Sequence, residues 1–189
     1  LLMRPMLPLV SFASASHVRA MRWIRKVIVF VALCVAVPAT GQVVATFYSH
    51  DLGSSFPHAF VVFKGTPERG GEAVDTNFGF TAKAVTPAIL MGSVPGKIDV
   101  ATASYIKGSD AQFSLRLTDG QYDAMMALVQ KWSVKPDSIY NLNKHNCVHF
   151  AGYMAQAAGL KVEFPKDLMK KPKSYLIHIR TLNPQLKGP

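Results

Sequence analysis

The chain has 189 residues, 49% of them hydrophobic and 17% charged, a balance that folds around one core and excludes a disordered, coiled-coil or collagen-like chain. The net charge of +10 is uneven: residues 1–39 hold five basic side chains and no acidic one, residues 161–189 hold seven basic against two acidic, and residues 40–160 balance at nine each. No cluster of Lys and Arg with interleaved aromatics stands on the balanced stretch, so nucleic acid is not an expected partner.

Residues 21–26 form a short basic start, residues 27–37 an apolar run of eleven, and Val37-Pro-Ala39 a small-residue cleavage site. That order reads as a secretory signal. The run falls short of the roughly 20 apolar residues a spanning helix needs. The expectation is an upstream extension plus signal peptide over 1–39, with Met21 the start. The product is an exported, periplasmic or secreted bacterial protein that meets the membrane only through this signal. Cleavage removes Cys34 and leaves Cys147 as a lone thiol with no disulfide partner.

Residues 42–49 (QVVATFYS) and 58–64 (HAFVVFK) are rich in β-branched and aromatic side chains and predict two strands. A turn over 66–71 returns the chain into a third strand over 73–80, antiparallel to the second. Pro87, Gly92, Pro95 and Gly96 predict a loop over 81–96 with at most a helical turn near Ile89. Strands follow over 97–101 and 111–117. The period then changes: Tyr122, Met125, Met126, Val129 and Trp132 recur at helical spacing, with Thr118 or Asp119 as the cap. A second helix runs over 147–158, capped by Asn146 and ended by Gly159. Residues 161–189 read as a basic extension with one short strand over 174–179. The fold class is therefore α+β, an antiparallel sheet packed against helices, with its principal domain over 40–160.

Chemistry concentrates at the second helix. Cys147 stands at its first turn, where the helix dipole favours thiolate and lowers the thiol pKa. His58 opens the second strand, and alternation turns His58, Phe60 and Val62 to one face. The third strand offers Asp75 and Asn77, either of which could hold the imidazole while its other nitrogen faces sulfur. These residue types suit nucleophilic catalysis: a thiol, a base and an orienting polar group. The rival reading is a metal site from His145, Cys147 and His149 with His50 and His58; an Asn146 cap sets His145 outside the helix and away from the i, i+4 geometry of paired ligands. A second rival is an exported binding domain in which Cys147 is only buried.

The segments His58-Ala-Phe-Val-Val, Asp75-Thr-Asn-Phe-Gly-Phe80 and Tyr140-Asn-Leu-Asn-Lys-His-Asn-Cys-Val-His-Phe150 together resemble the circularly permuted papain-fold group. In that group, which includes lecithin:retinol acyltransferase-like proteins and permuted NlpC-type peptidoglycan amidases, the histidine strand precedes the cysteine helix. The resemblance covers roughly 43–160. It implies a permuted papain-like fold, Cys147 as nucleophile, His58 as base, and Asp75 or Asn77 in the third role. It also implies an acyl-transfer reaction without metal or other cofactor. Combined with export, it points to a cysteine hydrolase cleaving amides, with cell-wall peptides as the leading substrate. A lipid or ester acyltransferase or thioesterase of the same fold is the alternative.

Overall fold

The computed structural model describes residues 42–51 and 56–186. The expected extension, start at Met21 and signal peptide lie outside the described residues. Six strands form one antiparallel sheet in the order β5-β1-β2-β3-β4-β6. They are β1 (Val43–His50), β2 (His58–Gly65), β3 (Val74–Ala82), β4 (Ser93–Asp99), β5 (Asp110–Leu117) and β6 (Ile139–Asn141). The helices are α1 (Ala88–Met91), α2 (Ala103–Lys107), α3 (Asp119–Ser133), α4 (Cys147–Ala157) and α5 (Pro172–Leu182), with a 3-10 turn over Lys166–Leu168. An α+β architecture is thus present.

Alternation sorts the sheet into two faces. Ala45 and Phe47 of β1 pair with Phe63 and Val61 of β2, and Phe78 of β3 continues that row. Phe47, Val61 and Phe63 are fully buried there, in one cluster with Trp132 of α3, Phe150 and Met154 of α4, and Leu176 and Ile179 of α5. His58, Phe60 and Val62 fall on the opposite face, where Phe60 stacks on Tyr48 at 5.4 Å and meets Tyr105 at 5.8 Å.

The caps are those the sequence predicts. Thr118 closes a capping box with Gln121 at the start of α3. Asn146 caps α4: its Oδ1 accepts from the Val148 and His149 backbone N–H groups at 2.9 and 3.2 Å.

Three expectations are corrected. First, the strand placed over 97–101 runs from Ser93 to Asp99, so Pro95 and Gly96 belong to a strand and not to a loop. Pro95 is tolerated because its neighbour β6 is three residues long and asks little of the ladder. Gly96 serves close approach, since a Cβ there would lie 2.5 Å from the Phe80 ring. The helical turn near Ile89 is present as α1.

Second, residues 174–179 are helix, not strand. Pro172, Tyr175, Leu176 and Ile179 are buried at i, i+3, i+4 and i+7, and Pro172 stands at the helix start, where its missing N–H has no cost.

Third, residues 161–186 are not an exposed extension, because Met169, Tyr175, Leu176 and Ile179 are buried in the core. Tyr175 reaches the surface of α4 where Gly152 leaves room, and Lys173 ties α5 to Asp51 and Asp110 at 3.1 and 2.7 Å.

Candidate active site

Cys147 and His58 open their elements, and both line one cleft of about 870 Å³. Asn146 locks the helix start that carries the thiol. It is 1% exposed, and its Nδ2 donates to the carbonyls of Leu142 and Met169, both at 2.7 Å, so the cap also binds the preceding loop to the C-terminal segment. The sulfur is buried at the cleft wall, 6% exposed, with the backbone N–H groups of Ala59, Val148 and Cys147 itself facing it. Ala59 follows His58 directly in β2, so the thiol packs against the backbone of the residue next to the imidazole.

The expected sign of the thiol shift is overturned. Burial pushes the Cys147 pKa up to about 11, although the three N–H groups pull it down. A helix terminus is worth about 0.3–1 kcal/mol, up to about 2 when partly buried. Desolvation of a fully buried group reaches several pKa units at about 1.4 kcal/mol each. Desolvation wins, and the resting sulfur is a thiol. Burial also lowers His58 to about 4; Asp99 opposes that shift and His50, its cross-strand partner, adds to it. At neutral pH both groups are uncharged, a thiol and an imidazole lining the same cleft.

Neither residue expected in the third role stands opposite His58. Asp75 pairs with Lys64 and Asn77 with Val62, six and four residues along β2 from His58. At about 3.3 Å per residue those offsets are roughly 20 and 13 Å. Asp75 is exposed and ion-paired with Lys64 at 3.5 Å. Asn77 is buried and fully engaged with the backbone of Ala101, accepting from its N–H at 2.6 Å and donating to its carbonyl at 3.0 Å. The carboxylate felt by His58 is Asp99. His58 Nε2 lies over Gly79, where a Cβ would come within 2.4 Å of it, and Asp99 is the β4 partner of Gly79. A glycine between imidazole and carboxylate opens the path across β3. Asp99 also holds Lys97 at 2.7 Å.

The cleft continues over Phe60, Ala82, Val85, Ile89 and Leu90, so its walls are largely apolar. Tyr140 borders it near the sulfur, and burial together with the neighbouring Cys147 raises the phenol pKa, keeping the hydroxyl a donor. Sequence reasoning gave no role to Tyr140 or Asp99, although the first opens the segment that carries Cys147 and the second lies in the strand expected over 97–101.

The residues of the metal reading diverge. His145 stacks on Trp132 at 3.8 Å with Nδ1 at the Ile139 carbonyl, 2.8 Å away, while His149 stacks toward Phe164. His50 stacks on Tyr105 with Nδ1 3.0 Å from Ser109 Oγ. Among the described residues no three His, Cys, Asp or Glu side chains converge as a ligand set.

Compared with models of known families, with curated proteins and with solved structures, the chain matches none.

Proposed function

We propose that this chain is a cysteine acyl hydrolase or transferase of the permuted papain-like kind, with Cys147 as nucleophile and His58 as base, acting on esters or amides of a long apolar acyl group. The observation that carries the reading is one apolar cleft holding both a buried thiol and an imidazole. Chain order supports the resemblance, since the histidine strand β2 precedes the cysteine helix α4. The lining favours an acyl chain over the expected cell-wall peptide, because a peptide needs hydrogen-bonding groups along its whole groove.

The reaction starts from the neutral pair. As sulfur attacks the acyl carbonyl, its proton passes to His58, and the imidazolium then gives that proton to the departing alcohol or amine. Asp99 stabilises the imidazolium across Gly79. Water or an acceptor alcohol, deprotonated by His58, attacks the thioester and the thiol regains its proton. The Cys147 backbone N–H and the Tyr140 phenol are the donors offered to the oxyanion, each such donor being worth about 3 kcal/mol.

The test is a series of p-nitrophenyl esters of increasing chain length, beside cell-wall peptides, with intact-mass detection of the acylated protein. Acylation is expected on the native chain, faster with longer acyl groups, and lost in Cys147→Ala. Ester turnover unchanged in that variant would overturn the proposal.

A thiol held up near 11 also suits an inert wall residue, which favours a second reading, an exported carrier of apolar ligands. In that case a fluorescent fatty acid binds native protein and Cys147→Ala alike, and no acyl adduct forms with any ester.

A further inference from the structure

Seven large apolar side chains are exposed among the described residues: Phe56, Val85, Leu90, Met91, Val100, Val134 and Tyr153. Phe56, Val85, Leu90 and Val100 line the cleft, and Met91 adjoins Leu90. Scattered exposed apolar residues are ordinary, but five gathered at one mouth mark a surface that meets something apolar. α1 sharpens the point. Its four residues, Ala-Ile-Leu-Met, include none that is buried, and Leu90 and Met91 are 77% and 89% exposed. The turn contributes nothing to the core and presents its apolar chains outward.

Apart from Asp99, which Lys97 pairs, the formally charged side chain of the lining is basic. Lys170 lines the cleft and is exposed, and Lys83 stands exposed two residues before Val85; neither has an ion-pair partner among the described residues. The acidic residue of the lining, Asp99, is taken by Lys97. A second copy docking here about a two-fold axis would set these lysines against themselves, whereas an anionic lipid surface supplies the opposite charge.

We propose that the mouth of the cleft docks on an anionic lipid surface, with Leu90, Met91, Val85, Phe56 and Val100 entering the acyl boundary and Lys83 and Lys170 meeting headgroup phosphates. Apolar rim and apolar cleft are continuous, so an acyl chain passes from bilayer to thiol without crossing water. This last step rests on the acyl reading above; the docking itself does not need turnover. It adds a membrane contact beyond the one expected of the N-terminal signal.

The test uses the full chain carrying Cys147→Ala, so that no lipid is consumed. It is sedimented with vesicles of phosphatidylcholine alone and with vesicles also containing phosphatidylglycerol. Each rim variant keeps the N-terminal segment, so any difference belongs to the rim. Added Leu90→Asp and Met91→Asp should weaken binding about tenfold or more on both vesicle types, with the melting temperature unchanged. Lys83→Glu with Lys170→Glu should weaken it several-fold only where phosphatidylglycerol is present, and added salt should mimic that loss. Equal sedimentation of native and rim-substituted chains would overturn the proposal. So would a dimer in light scattering that the rim variant dissociates while vesicles go unbound. If rim variants lose vesicles but no acyl adduct ever forms on the native chain, docking stands and the acyl reading falls. If adducts form from soluble esters while rim variants sediment normally, the reverse holds.

Discussion

On the helix side of the sheet, Phe47, Val61, Phe63 and Phe80 are fully buried and close against three helices. Trp132 there is sandwiched by rings, stacked on His145 at 3.8 Å and edge-on to Phe80 at 4.7 Å. At the cleft, the same sheet presents His58, Gly79 and Asp99 beside a large space and a rim of exposed apolar chains. The two regions share a backbone, and the difference teaches where stability and chemistry are separable. Packing on one side fixes the strands. What remains on the other side can stay open, because it is not asked to hold the fold together.

The sharpest way to break that contrast is a pair of variants. Under the proposed mechanism His58→Ala removes the base and should lower kcat/KM about 10²–10⁴-fold, with thermal unfolding little changed. Leu176→Ala opens a void in α5 against β1 and β5 and should cost about 2–5 kcal/mol of stability, read as a denaturant midpoint, with the residual folded protein still active. If instead His58→Ala unfolds the chain, or Leu176→Ala leaves the midpoint in place, the division between the regions is wrong.

Gly79→Ala comes next, and it tests how the cleft is built. A Cβ within 2.4 Å of His58 Nε2 cannot coexist with the present imidazole position, so the ring must move. A displacement of about 1 Å at a reacting group can cost on the order of 10²-fold, and that is the expected loss in kcat. Asp75→Asn and Asn77→Ala separate the alternatives: the first should leave turnover intact, and the second should act on stability through its Ala101 bonds. A loss of turnover in Asp75→Asn equal to that in Gly79→Ala would restore the sequence-based assignment.

Much of the frame was legible because it depends on local pattern. β-branched and aromatic composition marked β1 and β2, the turn over 66–71 placed β3, alternation marked β5, helical spacing marked α3, and the side chains of Thr118 and Asn146 announced two helix starts. A helix start, a strand opening and the expected loss of Cys34 also picked out Cys147 and His58, which the structure places in one cleft. Asp99 was hidden, since its relation to His58 exists only after three strands are in register and a glycine lies between them. α5 was hidden for another reason: its run of Tyr, Leu, Ile and Ile satisfies a strand propensity, and only burial at Pro172, Tyr175, Leu176 and Ile179 reveals the helical stripe. The direction of the Cys147 shift was misjudged because a helix start is visible in sequence and desolvation is not.

That reversal carries the smallest and most discriminating effect, a pH dependence. With His58 lowered to about 4 and Cys147 raised to about 11, the neutral pair persists between those values. kcat/KM should therefore rise through about pH 4 and stay flat across neutrality, where an ion pair would give a narrow bell. Iodoacetamide labelling of Cys147 should be slow at pH 6 and accelerate toward alkaline pH, because thiolate is the reactive form. On the acid side, stability follows the imidazoles that burial lowers, His58 together with His145 and His149. Between pH 6.5 and about 4 the unfolded chain binds a proton at His58 that the folded chain refuses, so unfolding gains as pH falls through that window. Above pH 6.5 both states are neutral and the contribution is constant. His58→Gln should make that acid slope of the urea midpoint shallower, the share left belonging to His145 and His149. An activity limb near pH 6.5, or fast labelling at pH 6, would show water and charge reaching the sulfur that the packed helix start keeps from it.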